Sequence, residues 1–460
     1  MFNYFLYFLY LIVLILLLLF IIQRYSINNR DNFVGLIIPH AGKKYAGDCR
    51  KSVFDSIKNK QDYKNIIYIT ALHTIKSGEE NKVYIIDNDN NYKFQNKNWI
   101  NNNNLKEHSY DWVIDEIKEN FNNAKLLVIS PNKNALNVDN ILLEYINNYP
   151  NILLISTTDL IHYGKDFNNL DYLNYPQQLD KIKKEGDFIY DIINNNDIIN
   201  YKNYDGWKSV SIYLKIMNYY KIKGKVIDYY DSYNSQNKDK IDMYIINHDN
   251  VNNFVSYVGI VHGIYNNNDI LDFDILYSLA LIKSNIIKNI NKKKYNIKFP
   301  KWSPFNNIKN GIFVGTEDKD NNISCSYGNY ENNNSSSFNI IKASNNCHND
   351  AKNRWNKPYN NKDIHNLIFK LEILDLEKDW IEHTNIDEFY NNGDYGIYLI
   401  LHNNRSATYL PSVFKDHKWD NNEEIFKKLS NKAGGGEWKN FKTYKTKVYK
   451  WDTLKQRLIK

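Results

Sequence analysis

The chain has 460 residues, of which 59 are basic and 52 acidic, interspersed to a net charge of +7. That balance favours solubility and carries no specific nucleic-acid signal, which would need a clustered basic face. Hydrophobic residues make up 43%, which excludes a wholly disordered protein and, at this length, allows two ordinary domains and an appendage.

Tyr4 to Ile22 is an uninterrupted, uncharged apolar stretch, close to the roughly 20 residues that a bilayer core requires. It has no basic leader and no small-residue cleavage site, so residues 1–30 are expected to be an uncleaved, single-pass transmembrane helix with its flank. Arg24 and Arg30 follow it, and the positive-inside rule then places the bulk of the chain in the cytosol. Val34 to Ile38 is a short apolar run that stops at Pro39, where a sheet ladder loses its donor. His40 stands just past this strand end, followed by Gly42 and Gly47. Further short apolar runs at Asn65–Ala71, Ala124–Ser130 and Ile152–Thr157 alternate with helical stretches such as Tyr110–Phe121. Asp180–Asn194 reads as another helix, and Lys225–Tyr230 and Val255–Val261 as strands. Strands spaced by helices imply an α/β layer fold over residues 31–266. The Asn-rich break at Tyr265–Asp269 marks a boundary. Beyond it come a helix at Ile275–Asn289 and strands at Gly311–Thr316, Asn366–Leu374 and Gly396–Leu401, a smaller α+β domain over 272–460.

Three cysteines, Cys49, Cys325 and Cys347, are too few and too scattered for a disulfide framework or a CxxC zinc site, and point to a reducing compartment. Cys325 reads either as a reactive thiol or, more simply, as a small buried residue. No GxSxG elbow, P-loop or Rossmann glycine pattern is present, which excludes the common serine-hydrolase and nucleotide-enzyme classes. Four histidines follow strands or open loops: His40, His73, His108 and His162. The carboxyl ends of strands are where open α/β sheets carry chemistry, and imidazoles delivered there can converge on iron, copper or zinc.

Pro39-His40-Ala41-Gly42 with Tyr45, Gly47 and Cys49, then His73, Glu107-His108-Ser109, Asp159-x-x-His162 and Val255-Ser256-Tyr257, resemble the Memo family in order and spacing over residues 34–264. The resemblance implies the fold of the class III extradiol dioxygenases, an αβ core with a central mixed sheet and a metal-capable pocket. It implies His40 and His73 as metal ligands and Asp205, at the place of the family's cysteine in a Cys-Gly pair, as the third. Two histidines and a carboxylate suit non-haem Fe(II), with copper as the second choice; a site that has lost its metal is the other reading of Asp205. His162, Asp159 and His108 are the implied acid/base residues, Glu107 being a further candidate for proton transfer. Gly311-Ile312-Phe313-Val314, Asn353 to Pro358, Ala407 to Val413 and Lys432-Ala433-Gly434 resemble the AMMECR family over about 272–455. There the family's Arg-Gly-Cys-Ile-Gly stretch is Ser324-Cys325-Ser326-Tyr327-Gly328. Such units occur together with radical-SAM proteins, which implies a partner of that kind. The functional expectation is a membrane-anchored, metal-dependent oxidoreductase acting on a small molecule. The alternative is a non-catalytic scaffold that binds a peptide or metabolite in the same cleft.

Overall fold

A computed structural model of the protein describes residues 33–73, 78–86, 98–102, 107–149, 151–164, 167, 177–202, 204–231, 253–263, 272–292, 298–301, 303–330, 333–360, 363–375, 381–383, 385, 394–416, 421–452 and 457–459. Among these residues no helix is long and apolar enough to cross a membrane. This corrects the expectation of a single-pass anchor and the membrane location drawn from it. The 4–22 stretch and the two arginines behind it lie outside the described residues, as does the 265–269 boundary segment. The chain divides into two compact units, Met1–Phe273 and Asp274–Lys460.

The first unit is an α/β layer fold on a nine-stranded sheet. Its strands are β1 (Val34–Ile38), β2 (Asn65–Ile69), β3 (Val83–Ile86), β4 (Trp99–Asn101), β5 (Lys125–Pro131), β6 (Ile152–Thr157), β7 (His162–Gly164), β8 (Lys223–Asp231) and β9 (Asn253–Gly263). Their order is β4-β3-β5-β2-β6-β1-β9-β7, with β8 pairing β9. β5, β2, β6 and β1 run parallel, while β9 runs antiparallel to β1 and β3 to β5, so the sheet is mixed. β6 is buried along its whole length, and β1 and β2 in all but their first residue. A parallel strand covered on both faces needs such a continuous apolar run. Among the described residues six helices accompany the sheet: α1 (Lys43–Asp55), α2 (His108–Asp111), α3 (Ile114–Asn120), α4 (Val138–Asn148), α5 (Gln177–Asn194) and α6 (Trp207–Tyr219). The stretch expected as one helix from Tyr110 to Phe121 is thus α2 and α3, interrupted at Trp112-Val113. The core joins Leu36, Ile38, Val53 and Phe54 to Ile66, Tyr68, Val128 and Ile155.

The second unit carries α7 (Asp272–Ile290), β10 (Ile312–Glu317), β11 (Ile323–Asn329), α8 (Ser336–Asn353), β12 (Ile368–Asp375), β13 (Ile381–His383), β14 (Gly396–Leu401), β15 (Ser406–Tyr409), α9 (Pro411–Asp416), α10 (Asn422–Lys432), β16 (Trp438–Asp452) and β17 (Arg457–Ile459). Its eight-stranded sheet has the order β11-β10-β12-β16-β14-β15, with β13 and β17 also on β16, and its ladders are antiparallel. α8 packs on β10 and β11. This brings Cys347 against Cys325 in a disulfide, with Cα atoms 5.7 Å apart, within the usual span of such bridges. The cysteines looked too scattered to pair, but a strand, a turn and a returning helix close the distance.

Candidate metal centre

Three neighbouring parallel strands deliver the site. In the order β2-β6-β1, each strand releases a polar residue just past its carboxyl end: His73, Asp159 and His40 respectively. A fourth group, Asp205, comes from the turn before α6. Gly206 is the N-cap of that helix, with φ 79° and no side-chain cap, so the Asp205 carboxylate is not spent on capping. A Cβ on Gly206 would lie 2.3 Å from the Thr157 carbonyl oxygen; only glycine lets this turn press on the end of β6. The Thr158 hydroxyl then bonds the Asp205 carbonyl.

The two imidazoles are oriented by different partners. Thr157 spends its hydroxyl proton on the Ile38 carbonyl at 2.8 Å, so toward His40 Nδ1, 3.1 Å away, it accepts. Nδ1 therefore carries a proton, and Nε2, which faces Asp205, is the nitrogen that a metal would take in place of its own proton. His73 Nδ1 lies 2.6 Å from Glu107 Oε1, and a carboxylate only accepts, so His73 Nδ1 is protonated as well. Glu107 also accepts the His73 amide at 2.9 Å and the Ser109 amide at the start of α2. Both Nε2 atoms face one oxygen, Asp205 Oδ2, at 3.1 Å from His40 and 2.9 Å from His73. His108 joins them: its ring centroid is 3.8 Å from that of His73, and ligand atoms of His40, His73 and His108 lie within 4.8 Å of one another.

Electrostatics follow from this crowding. Burial lowers the pKa of His40, but Asp159 and Asp205 outweigh it and the pKa is raised. His73 behaves likewise, its burial overcome by hydrogen bonds to Asp205 and Glu107, which bring it to about 10. Burial would raise Glu107, yet its bonds to His73 bring it down to about 2. Asp205 is held well below the usual carboxylate range, again against burial, by His40 and His73. His108 is lowered by burial and then by the charge of His73.

The donor set fits a first-row transition metal. Two donors each about 2.1 Å from one ion and at right angles to each other stand about 3 Å apart, which is the spacing of Asp205 Oδ2 from either Nε2. Nitrogen-rich sets with one carboxylate suit iron, copper or zinc. The Glu107 carboxylate on His73 Nδ1 is the kind of orienting partner that metal-ligating histidines ordinarily have.

The remaining candidates lie around this cluster. Asp159, 3% exposed, gives Oδ1 to the His40 amide at 3.0 Å and places Oδ2 at 3.7 Å from His40 Nε2. His162 opens β7 and packs against Phe167. Burial lowers its pKa, while Asp159 and Asp205 raise it, so it lies within electrostatic reach of the cluster. One residue escaped the sequence reading altogether. Arg50, fully buried on α1, grips Glu116 through Nε at 3.0 Å and Nη2 at 2.6 Å. Its Nη1 donates to the carbonyls of Pro39 and Ala41, at 3.1 and 2.6 Å, the two residues that bracket His40.

Residues 17–244 match the family described as Memo-like protein, and residues 279–455 match AMMECR1. The first match begins inside the apolar 4–22 stretch rather than after it. Among solved structures, the uncharacterized protein PH0010 from Pyrococcus horikoshii is 18% identical with a TM-score of 0.36, over 41% of this chain and 97% of its own. No curated protein matches the chain.

Proposed function

We propose that the first unit of this chain, which is a Memo-like domain in tandem with an AMMECR1 domain, binds iron or copper and acts as an oxidoreductase on a small molecule. The observation that supports this reading is the convergence of two Nε2 atoms on one carboxylate oxygen, with a third imidazole alongside. His40, His73 and Asp205 would hold the ion, and His108 is placed to add a fourth donor. When bound, iron or copper supplies a redox couple and Lewis acidity.

The chain's own residues do the rest. Asp159 is committed to the His40 amide, so it positions the loop rather than moving protons. His162 can take or give a proton near neutrality; its burial keeps it neutral and available as a base. Glu107, locked to His73, fixes a tautomer and is not a free acid. Trp112, half exposed and 4.8 Å from the His108 ring, offers a flat apolar wall to a bound substrate.

The test is metal analysis of the purified chain after anaerobic Fe(II) or copper loading. One equivalent of metal that is lost in His40→Ala and in His73→Ala is expected, and Asp205→Cys should shift preference toward copper. A chain that folds normally yet stays metal-free after loading would sink the proposal and leave a binding scaffold as the function of the cleft. An unchanged metal preference in Asp205→Cys would remove Asp205 from the ligand set.

A further inference from the structure

In the second unit the 324–328 and 407–413 stretches meet, since Cys325 and Ser326 line one pocket with Leu410, Ser412 and Val413. Arg354 follows α8 and donates through Nη1 to the Ser326 carbonyl at 3.3 Å. Asp350 accepts the Ser326 amide at 3.0 Å and Trp355 Nε1 at 3.1 Å, which ties the 353–358 segment to β11. The Arg354 guanidinium lies 5.0 Å over the Trp355 ring. From the other side, Lys432 at the end of α10 donates to the Thr408 carbonyl at 2.7 Å and sits 4.7 Å over the Tyr409 ring.

Two cations are therefore held in place with most of their donors unspent. Arg354 uses one of five N–H groups in a hydrogen bond and Lys432 one of three. Asp350 Oδ1 lies 3.8 Å from Arg354 Nη1, and its other oxygen is taken by Ser326 and Trp355. Among the described residues no carboxylate lies within ion-pair distance of Lys432. The neighbouring Lys428 is matched by Glu424 at 2.7 Å. Asp350 offsets one of the two cations, Arg354 and Lys432. Although Lys432 is exposed along its stem, its ammonium is tucked down on Tyr409. Burial there, and then repulsion from Arg354, push its pKa down to about 8. A bound anion would relieve that repulsion.

We propose that Arg354 and Lys432 form a binding site for a small oxyanion, the phosphate group of a phosphorylated metabolite, with Tyr409 and Trp355 as its walls. A planar fork beside a point charge is the pairing that suits a tetrahedral oxyanion. A phosphate offers enough lone pairs to engage the unspent donors of both side chains, where a carboxylate would leave several facing water.

The experiment is calorimetric titration of the full chain with inorganic phosphate at constant ionic strength. Saturable binding is expected, weakened about tenfold by Arg354→Gln or by Lys432→Gln and abolished in the double variant. Both positions are exposed, and unchanged thermal melting will show that the variants fold. His73→Ala, which disables the metal cluster, should leave phosphate binding intact. Displacement of phosphate by malonate at equal affinity would identify a carboxylate ligand for the same site. The proposal is overturned by the lack of saturation in the millimolar range, by undiminished binding in the double variant, or by binding that vanishes in His73→Ala.

Discussion

Replacement of Arg50 by methionine tests how the metal loop is held. The guanidinium makes four hydrogen bonds: two to the Glu116 carboxylate and two to the carbonyls on either side of His40. It is 0% exposed and Glu116 only 7%, so solvent does little to screen the pair. Arg50→Met keeps the apolar stem but strands a buried carboxylate and two acceptors. Removal of one partner from such a pair costs about 3–5 kcal/mol. Arg50→Met combined with Glu116→Leu should cost less than Arg50→Met alone, since no charge is then orphaned. Lysine at position 50 should not rescue, because an ammonium cannot form the fork and reach both carbonyls. Urea unfolding of the two single variants and the double variant gives the coupling energy, and metal titration should show affinity down about 10–100-fold as the His40 loop loosens. A loss below about 1 kcal/mol in Arg50→Met, or a double variant as costly as the sum of its parts, would refute the argument.

Three other outcomes are expected. Gly206→Ala forces φ 79° on a residue with a Cβ and drives it toward the Thr157 carbonyl; a stability loss of about 1–3 kcal/mol with weakened metal binding is the outcome, and wild-type values for both would be fatal to the placement of Asp205. His262 is fully buried, with Nε2 on the Ile192 carbonyl and Nδ1 on the Tyr213 hydroxyl. Burial lowers its pKa from 6.5 to about 4, so between those values the unfolded chain binds the extra proton and stability rises with pH, by on the order of 3 kcal/mol. His262→Gln should flatten that slope of unfolding free energy between pH 4 and 6.5, and an identical slope would contradict it. Reduction of the Cys325–Cys347 bridge, which spans a separation of 22 residues, should cost the second unit about 3 kcal/mol; Cys347→Ser should match the reduced wild type, and a melt insensitive to reductant would show that the bridge does not form.

The residues of the site were legible in the sequence to different degrees, for physical reasons. β1 and β6 stand where their apolar runs place them, because a parallel strand buried on both faces must be apolar throughout. His40 and His73 were visible as polar residues just past such runs. Asp205 was not: nothing in Tyr204-Asp205-Gly206 distinguishes it from a surface turn, and only the family resemblance reached it. His108 was read as a proton carrier, whereas the structure sets its ring in the imidazole cluster. Arg50 left a signal that went unread. Ala46, Cys49, Arg50, Val53 and Phe54 are the buried face of α1 at helical spacing, and an arginine within such a stripe needs a buried partner. β16 was missed because lysines at 439, 442, 445, 447 and 450 make it look solvated, although its ladders with β12 and β14 carry the centre of the second sheet.

β6 acts as the gauge of the candidate metal centre. His40 and His73 follow strands that flank it, and those strands are two spacings apart, about 9.6 Å, while the two rings approach to 5.0 Å. The imidazoles must lean inward over the end of β6, and the distance they span is fixed by two hydrogen-bonded ladders in register, Ile38 with Thr157 and Ile69 with Ser156. The ends of the strands from which the two imidazoles depart are therefore set by the sheet. Selection among ions of different radius then falls to the groups that are not on this ruler, Asp205 on its glycine-backed turn and His108 on a short helix.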